Sequence, residues 1–141
     1  MEYTKGYLAI DIVGDLIKHN RSKHQYEHLE FMCLDIVHDK IPKADCALLR
    51  QVVQHLSNAE IKCITEKLYP FKYVLVTEHL PDGEFEPNID ILSGQGTRLK
   101  KGSGVDLLAP PFNLNVKRTD MLLSIPLGDG LGRIDTVLYC L

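Results

Sequence analysis

The sequence predicts an α/β fold: a mostly parallel sheet with helices laid against it, closed by a C-terminal antiparallel hairpin. Three observations carry that expectation. Short apolar runs alternate with a stretch of helical spacing through the first half of the chain. Two of those runs end in an aspartate followed by an isoleucine, Asp11-Ile12 and Asp35-Ile36. The last part holds two apolar runs joined by a glycine turn, Gly128-Asp129-Gly130-Leu131-Gly132.

The elements follow in order. Tyr7-Leu8-Ala9-Ile10 is short and nearly continuous in apolar character, as a strand covered on both faces would be. Gly14-Asp15 then starts a helix whose apolar face carries Val13, Leu16 and Ile17. Leu29 to Leu34 reads as a second strand, ending at Asp35. A polar loop containing Pro42 leads to a third strand over Ala44 to Leu49. Ser57 with Glu60 three positions later fits a capping box, and Ile61, Ile64, Leu68 and Cys63 give the following helix its apolar face until Pro70 stops it. Tyr73 to Glu78 is a fourth strand, rich in β-branched residues. Strands alternating with helices in this way place parallel strands in one sheet.

The second half changes character. Residues 80 to 104 carry Pro81, Gly83, Pro87, Gly94, Gly96, Gly102 and Gly104, a long loop of the kind that often covers a binding site. Asp120 to Ile125 and Arg133 to Tyr139 read as two strands, and the glycine turn between them makes a hairpin. The letters G-x-G-x-G in that turn do not make a phosphate loop, because a strand follows where the motif needs a helix.

Composition bounds the function. The chain has 141 residues, 45% hydrophobic and 25% charged, which suits one globular domain over 1–141. A net charge of -3 opposes a nucleic-acid-coating surface, which needs a cationic excess. The basic residues Lys18, His19, Arg21, Lys23 and His24 sit late in the first helix, where cations favour a helix end. The opening Met1-Glu2-Tyr3-Thr4-Lys5 is polar, and no apolar run reaches membrane-spanning length, so a cytoplasmic protein with no membrane partner is expected. Cys33, Cys46 and Cys140 lie in apolar runs without any C-x-x-C pair and read, with Cys63, as buried free thiols. His24 and His28 have helical ligand spacing, but a strand begins at Leu29 and no partner ligand is near in sequence, so no metal site is expected.

The aspartate pair carries the chemistry. In an open parallel sheet, ligands bind outside the carboxyl ends of the strands. A carboxylate at the first end can accept both hydroxyls of a ribose, and one at the second can accept an adenine amine, with isoleucines flanking the base. A strand-end aspartate also caps loops, so each alone is as readily structural.

Tyr7 to Ile17 resembles the second strand and following helix of class I S-adenosylmethionine-dependent methyltransferases. Phe31 to Asp35 resembles their third strand. Ile41 to Leu56 is similar to their fourth strand and the turn after it, and is the most specific part; Tyr73 to Thr77 is similar to the fifth. The resemblance implies a Rossmann-like sheet, S-adenosylmethionine as cofactor, and methyl transfer to a small-molecule acceptor. It assigns Asp11 to the ribose, Ile12 and Ile36 to the faces of the adenine, and Asp35 to the adenine amine. It places Arg50 and Gln51 at the methionine end and His55 near the substrate as a general base, with a backbone-bonded histidine as the alternative. The family opens with a strand, a glycine-rich loop and a helix that have no counterpart in Met1 to Gly6. With that usual first strand missing, either its two neighbours pair directly or a second copy fills the gap as a homodimer. A non-catalytic remnant serving as a binding or oligomerising module is the rival expectation.

Overall fold

The computed structural model describes residues 4–141; Met1, Glu2 and Tyr3, the start of the polar opening, lie outside the described residues. The chain divides into two compact units, one up to Ile41 and one from Pro42 to Leu141.

In the first unit, strand β1 (Tyr7–Asp11), helix α1 (Gly14–Lys23) and strand β2 (Leu29–Cys33) follow one another. β1 and β2 pair in parallel from Tyr7 opposite Leu29 to Asp11 opposite Cys33. The Leu34 N–H extends the ladder by donating to the Asp11 carbonyl at 3.0 Å. Arg21 ties α1 to β2, its guanidinium donating to the Phe31 carbonyl. Of the expected apolar face of α1, only Ile17 is buried; Val13 is 52% and Leu16 42% exposed. The helical spacing forms as expected, but among the described residues most of that face stays exposed, so the unit has little core of its own.

The second unit holds β3 (Cys46–Arg50), helix α2 (Asn58–Leu68), β4 (Tyr73–Leu80), β5 (Arg118–Pro126) and β6 (Arg133–Cys140). Its sheet runs β3-β4-β6-β5, with β3 parallel to β4 and the hairpin antiparallel. All six strands expected from the sequence form, and β4 and the hairpin strands run slightly longer than their apolar cores. A bulge between Met121 and Leu123 shifts the β5–β6 register. Gly132 has φ +87°, and a Cβ there would collide with the Leu80 carbonyl, so the hairpin turn needs glycine.

One face of this sheet makes the core. Leu49, Val74, Val76 and Tyr139 point into it, met by Ile61, Ile64 and Leu68 of α2 and by Leu107, Phe112 and Leu114 of the long connection. The opposite face leaves Leu48, Tyr73, Leu123 and Ile125 exposed. That alternation explains a correction. All four cysteines are free, but Cys33, Cys46 and Cys63 are exposed and Cys140 half-buried. Cys46 and Cys140 both pair with Tyr73, on the uncovered face, where apolar sequence context does not mean burial.

The capping box forms as the sequence predicts. The Ser57 hydroxyl accepts from the Glu60 N–H, and the Glu60 carboxylate accepts from the Ser57 N–H at 3.0 Å. Ser57→Ala removes half of that exchange. A loss of about 1 kcal/mol in urea unfolding is expected; an unchanged midpoint would show that the Glu60 N–H needs no acceptor once the Glu60 carboxylate and Ser93 hold the Ser57 N–H.

The stretch between β4 and β5 has no α-helix, only a 3₁₀ turn over Arg98–Lys101. Buried polar side chains hold it instead. Asn88, 6% exposed, donates to the carbonyls of Asp106 and Pro110 and accepts from the Asp106 N–H. Ser103 donates to the Glu86 carbonyl at 2.6 Å and accepts from the Ile89 N–H. No described helix is long and apolar enough to cross a membrane.

Candidate functional site

Asp11 closes β1, and one oxygen of its carboxylate accepts the Val13 N–H at 2.8 Å. Its other oxygen makes no hydrogen bond to a described residue. Ile12 follows, 64% exposed. Asp35 lies two residues past the end of β2, at the same carboxyl edge as Asp11, because the two strands run parallel in register. The sequence-predicted pair is therefore brought together on one edge.

The two carboxylates differ in what they do locally. Asp35 accepts from the Val37 N–H at 2.8 Å with one oxygen and meets the His38 ring at 2.8 Å with the other. The His38 contact, then the backbone bonds, holds its carboxyl below the usual range. Asp39 accepts in turn from the Asp35 N–H at 2.9 Å. Asp35 thus organises its own turn, while Asp11 keeps an oxygen free. Ile36 is half-buried beside it.

The other expected residues belong to the second unit. Arg50 ends β3 and is exposed. Gln51 takes the left-handed conformation, φ +53°, uncommon for a residue with a Cβ, and its N–H donates to the Thr77 carbonyl at 2.7 Å. That strained step turns the chain from β3 into a 3₁₀ turn over Val53–His55. His55 is clamped at both ring nitrogens. Nδ1 lies 3.1 Å from the Gly96 carbonyl, so Nδ1 carries the proton, and Nε2 accepts from the Gln54 amide at 3.2 Å. A histidine so engaged is first a tie between the turn and the long connection.

Several polar residues had no place in the sequence reading. Glu78, 4% exposed, accepts the Val53 and Gln54 N–H groups at 3.2 Å each. Burial pushes its carboxyl up to about 7, against the pull of those bonds and of Arg98. Arg98 is 1% exposed and donates to the carbonyls of Gln54 and Leu56 and to the Asn58 side chain, leaving Nε without a partner. Asp135 is 3% exposed and held by Arg133 and Ser124. The signal for Glu78 was present: it continues the inward alternation Val74, Val76 on β4.

No family model and no curated protein matches the chain. Solved structures do match it. The methyltransferase domain of bacterial CtHen1-CN has a TM-score of 0.67 at 14% identity, over 100% of this chain and 80% of that one. Human N-acetylserotonin methyltransferase, solved with S-adenosylmethionine, gives 0.61 at 14% identity, over 96% of this chain but 40% of that one. A putative S-adenosylmethionine-dependent methyltransferase from Listeria monocytogenes gives 0.61 at 11% identity, over 98% and 81%. Identities this low speak for the fold: this chain has the fold of S-adenosylmethionine-dependent methyltransferases.

Proposed function

We propose that this chain, built on the methyltransferase fold, binds S-adenosylmethionine at the carboxyl edge of β1 and β2 and directs methyl transfer to a small-molecule acceptor. The observation that supports the reading is Asp11, a strand-end carboxylate with one oxygen unengaged, beside an exposed isoleucine and across a parallel pair from Asp35. That donor set suits a nucleoside: carboxylate for ribose hydroxyls, apolar surface for a base.

When bound, the cofactor supplies a methyl group already activated on sulfur, so positioning provides most of the rate. Asp11 would hold the ribose and Ile12 would flank the adenine. Asp35 would accept the adenine amine through lone pairs left beside its His38 and backbone bonds, with Ile36 against the base. By the resemblance alone, Arg50 and Gln51 of the second unit are the residues proposed for the methionine end. His55 would act on the acceptor proton only after Gln54 releases Nε2.

Titration calorimetry with S-adenosylmethionine and S-adenosylhomocysteine tests this. The wild type is expected to bind both, and Asp11→Ala to weaken binding at least about tenfold, or roughly 1.4 kcal/mol. No heat and no thermal shift at millimolar ligand would remove the reading.

The engaged state of His55 and the thin core of the first unit favour a second reading, a non-catalytic binding or oligomerising module. We propose for that case a homodimer in which a second copy completes the sheet. Among the described residues β1 and β2 of one sheet and β3 and β5 of the other each keep one unpaired edge, a template for another strand. Sedimentation of a tight dimer that ignores both ligands would select it.

A further inference from the structure

A cavity of about 330 Å³ lies within the second unit, between the inward faces of β4, β5 and β6 and the long connection. It falls in the size range of small-molecule sites. Leu80, Phe85, Val105, Leu107 and Met121 are among its apolar lining. Against that apolar wall stand three carboxylates, Glu78, Asp106 and Asp135, with Arg133 as the cation among the lining residues.

The charges do not cancel. Arg133 is spent: its Nε donates to Asp135 at 2.9 Å and its Nη1 to the Pro81 and Gly83 carbonyls. Asp135 is satisfied by that pair and by the Ser124 hydroxyl at 2.6 Å. Glu78 receives two backbone N–H groups and feels the charge of Arg98, but among the described residues it makes no salt bridge. Asp106 accepts the Leu108 N–H at 2.8 Å with one oxygen, and the other makes no hydrogen bond among the described residues. Tyr139, 7% exposed, lines the same cavity, and its hydroxyl has no hydrogen-bond partner among the described residues. Burial first, then the charges of Asp106 and Glu78, pushes its phenol up to about 12, so it stays a neutral donor and acceptor. A nearly buried hydroxyl without a partner, beside two carboxylates that form no salt bridge among the described residues, is an incomplete polar set.

We propose that this cavity binds a small molecule joining an apolar body to a protonated amine. The amine supplies the direct ion-pair partner that Asp106 and Glu78 do not have among the described residues and donates to the Tyr139 hydroxyl, while the body fills the aliphatic and aromatic wall. Nothing in this depends on the cofactor reading, since every residue involved lies on β4 to β6 or on the connection between them.

Calorimetry with 2-phenylethylamine at pH 8, beside 2-phenylethanol and 3-phenylpropanoate, tests it. The amine is expected to bind at least about tenfold more tightly than either analogue. Asp106→Asn keeps an acceptor for the Leu108 N–H and should cost the amine about tenfold while leaving the alcohol unchanged. Tyr139→Phe is the second variant and should weaken the amine several-fold. Equal binding of amine and alcohol, tighter binding of the acid, or no heat from the amine at millimolar concentration overturns the proposal. S-adenosylmethionine titrated into the same protein reads the cofactor site separately, so one can fail without the other.

Discussion

Replacing Arg98 with alanine is expected to lower the unfolding free energy by about 3 kcal/mol, the scale for removing one partner from a buried charge network. Arg98 is 1% exposed and holds the Leu56 carbonyl at 2.8 Å and the Asn58 side chain at 2.7 Å, with the Gln54 carbonyl at the limit of reach. Without it those acceptors lose a buried donor, and the nearby Glu78 loses its attracting charge. The same turn carries His55, so its two ties loosen as well. Arg98→Lys should recover less than half, because an ammonium cannot present the planar fork that serves several acceptors at once. Urea unfolding measures both variants. A loss below about 1 kcal/mol for Arg98→Ala would mean water replaces the guanidinium at little cost.

Raising the pH from below 5 to 8 is expected to cost the fold about 3 kcal/mol through Glu78. Its folded-state value of about 7 stands above the ordinary 4.5, so the native state holds the proton more tightly than the unfolded chain. Stability is then fully present below the ordinary value and is lost as pH rises through the folded one. Arg98, Asp106, Asp135 and Tyr139 are the titratable groups around it; Arg98 favours the charged form, and burial outweighs it. Asp35 works with the opposite sign: its lowered value gives stability that disappears only in stronger acid. Val53 and Gln54 use separate oxygens of the carboxylate, so Glu78→Gln keeps an acceptor for one of those N–H groups, lowers stability at every pH and removes the ionisation. Its stability should be flat across this window. A wild type equally flat would show that the carboxylate ionises inside the fold without penalty.

The strands were legible because each buries an apolar run against others in its own sheet, and β-branched residues mark it locally. The edge that brings Asp11 and Asp35 together was legible for the same reason: parallel order follows from the alternation, and order fixes which ends coincide. The cover of α1 was not, since Val13 and Leu16 have helical spacing whether or not anything meets them. Residues 80 to 104 read in sequence only as a long loop. What organises it is Asn88, Arg98 and Ser103, whose partners lie up to 44 residues away in sequence. No periodicity encodes such bonds. The inward carboxylates show a middle case: Glu78 could be placed on the core side by alternation, but its charge state depends on what covers it.

The irregularity between Met121 and Leu123 sets the parity of everything after it. Two residues of β5 stand there where β6 spends one step, so Ser124 arrives opposite Asp135 and closes a bond to it at 2.6 Å. A strand with strict alternation would deliver Leu123 to that carboxylate and turn the serine outward. Gain or loss of a single codon in this stretch would therefore act as a phase error in space, exchanging lining for surface along the remaining strand while leaving its composition almost untouched.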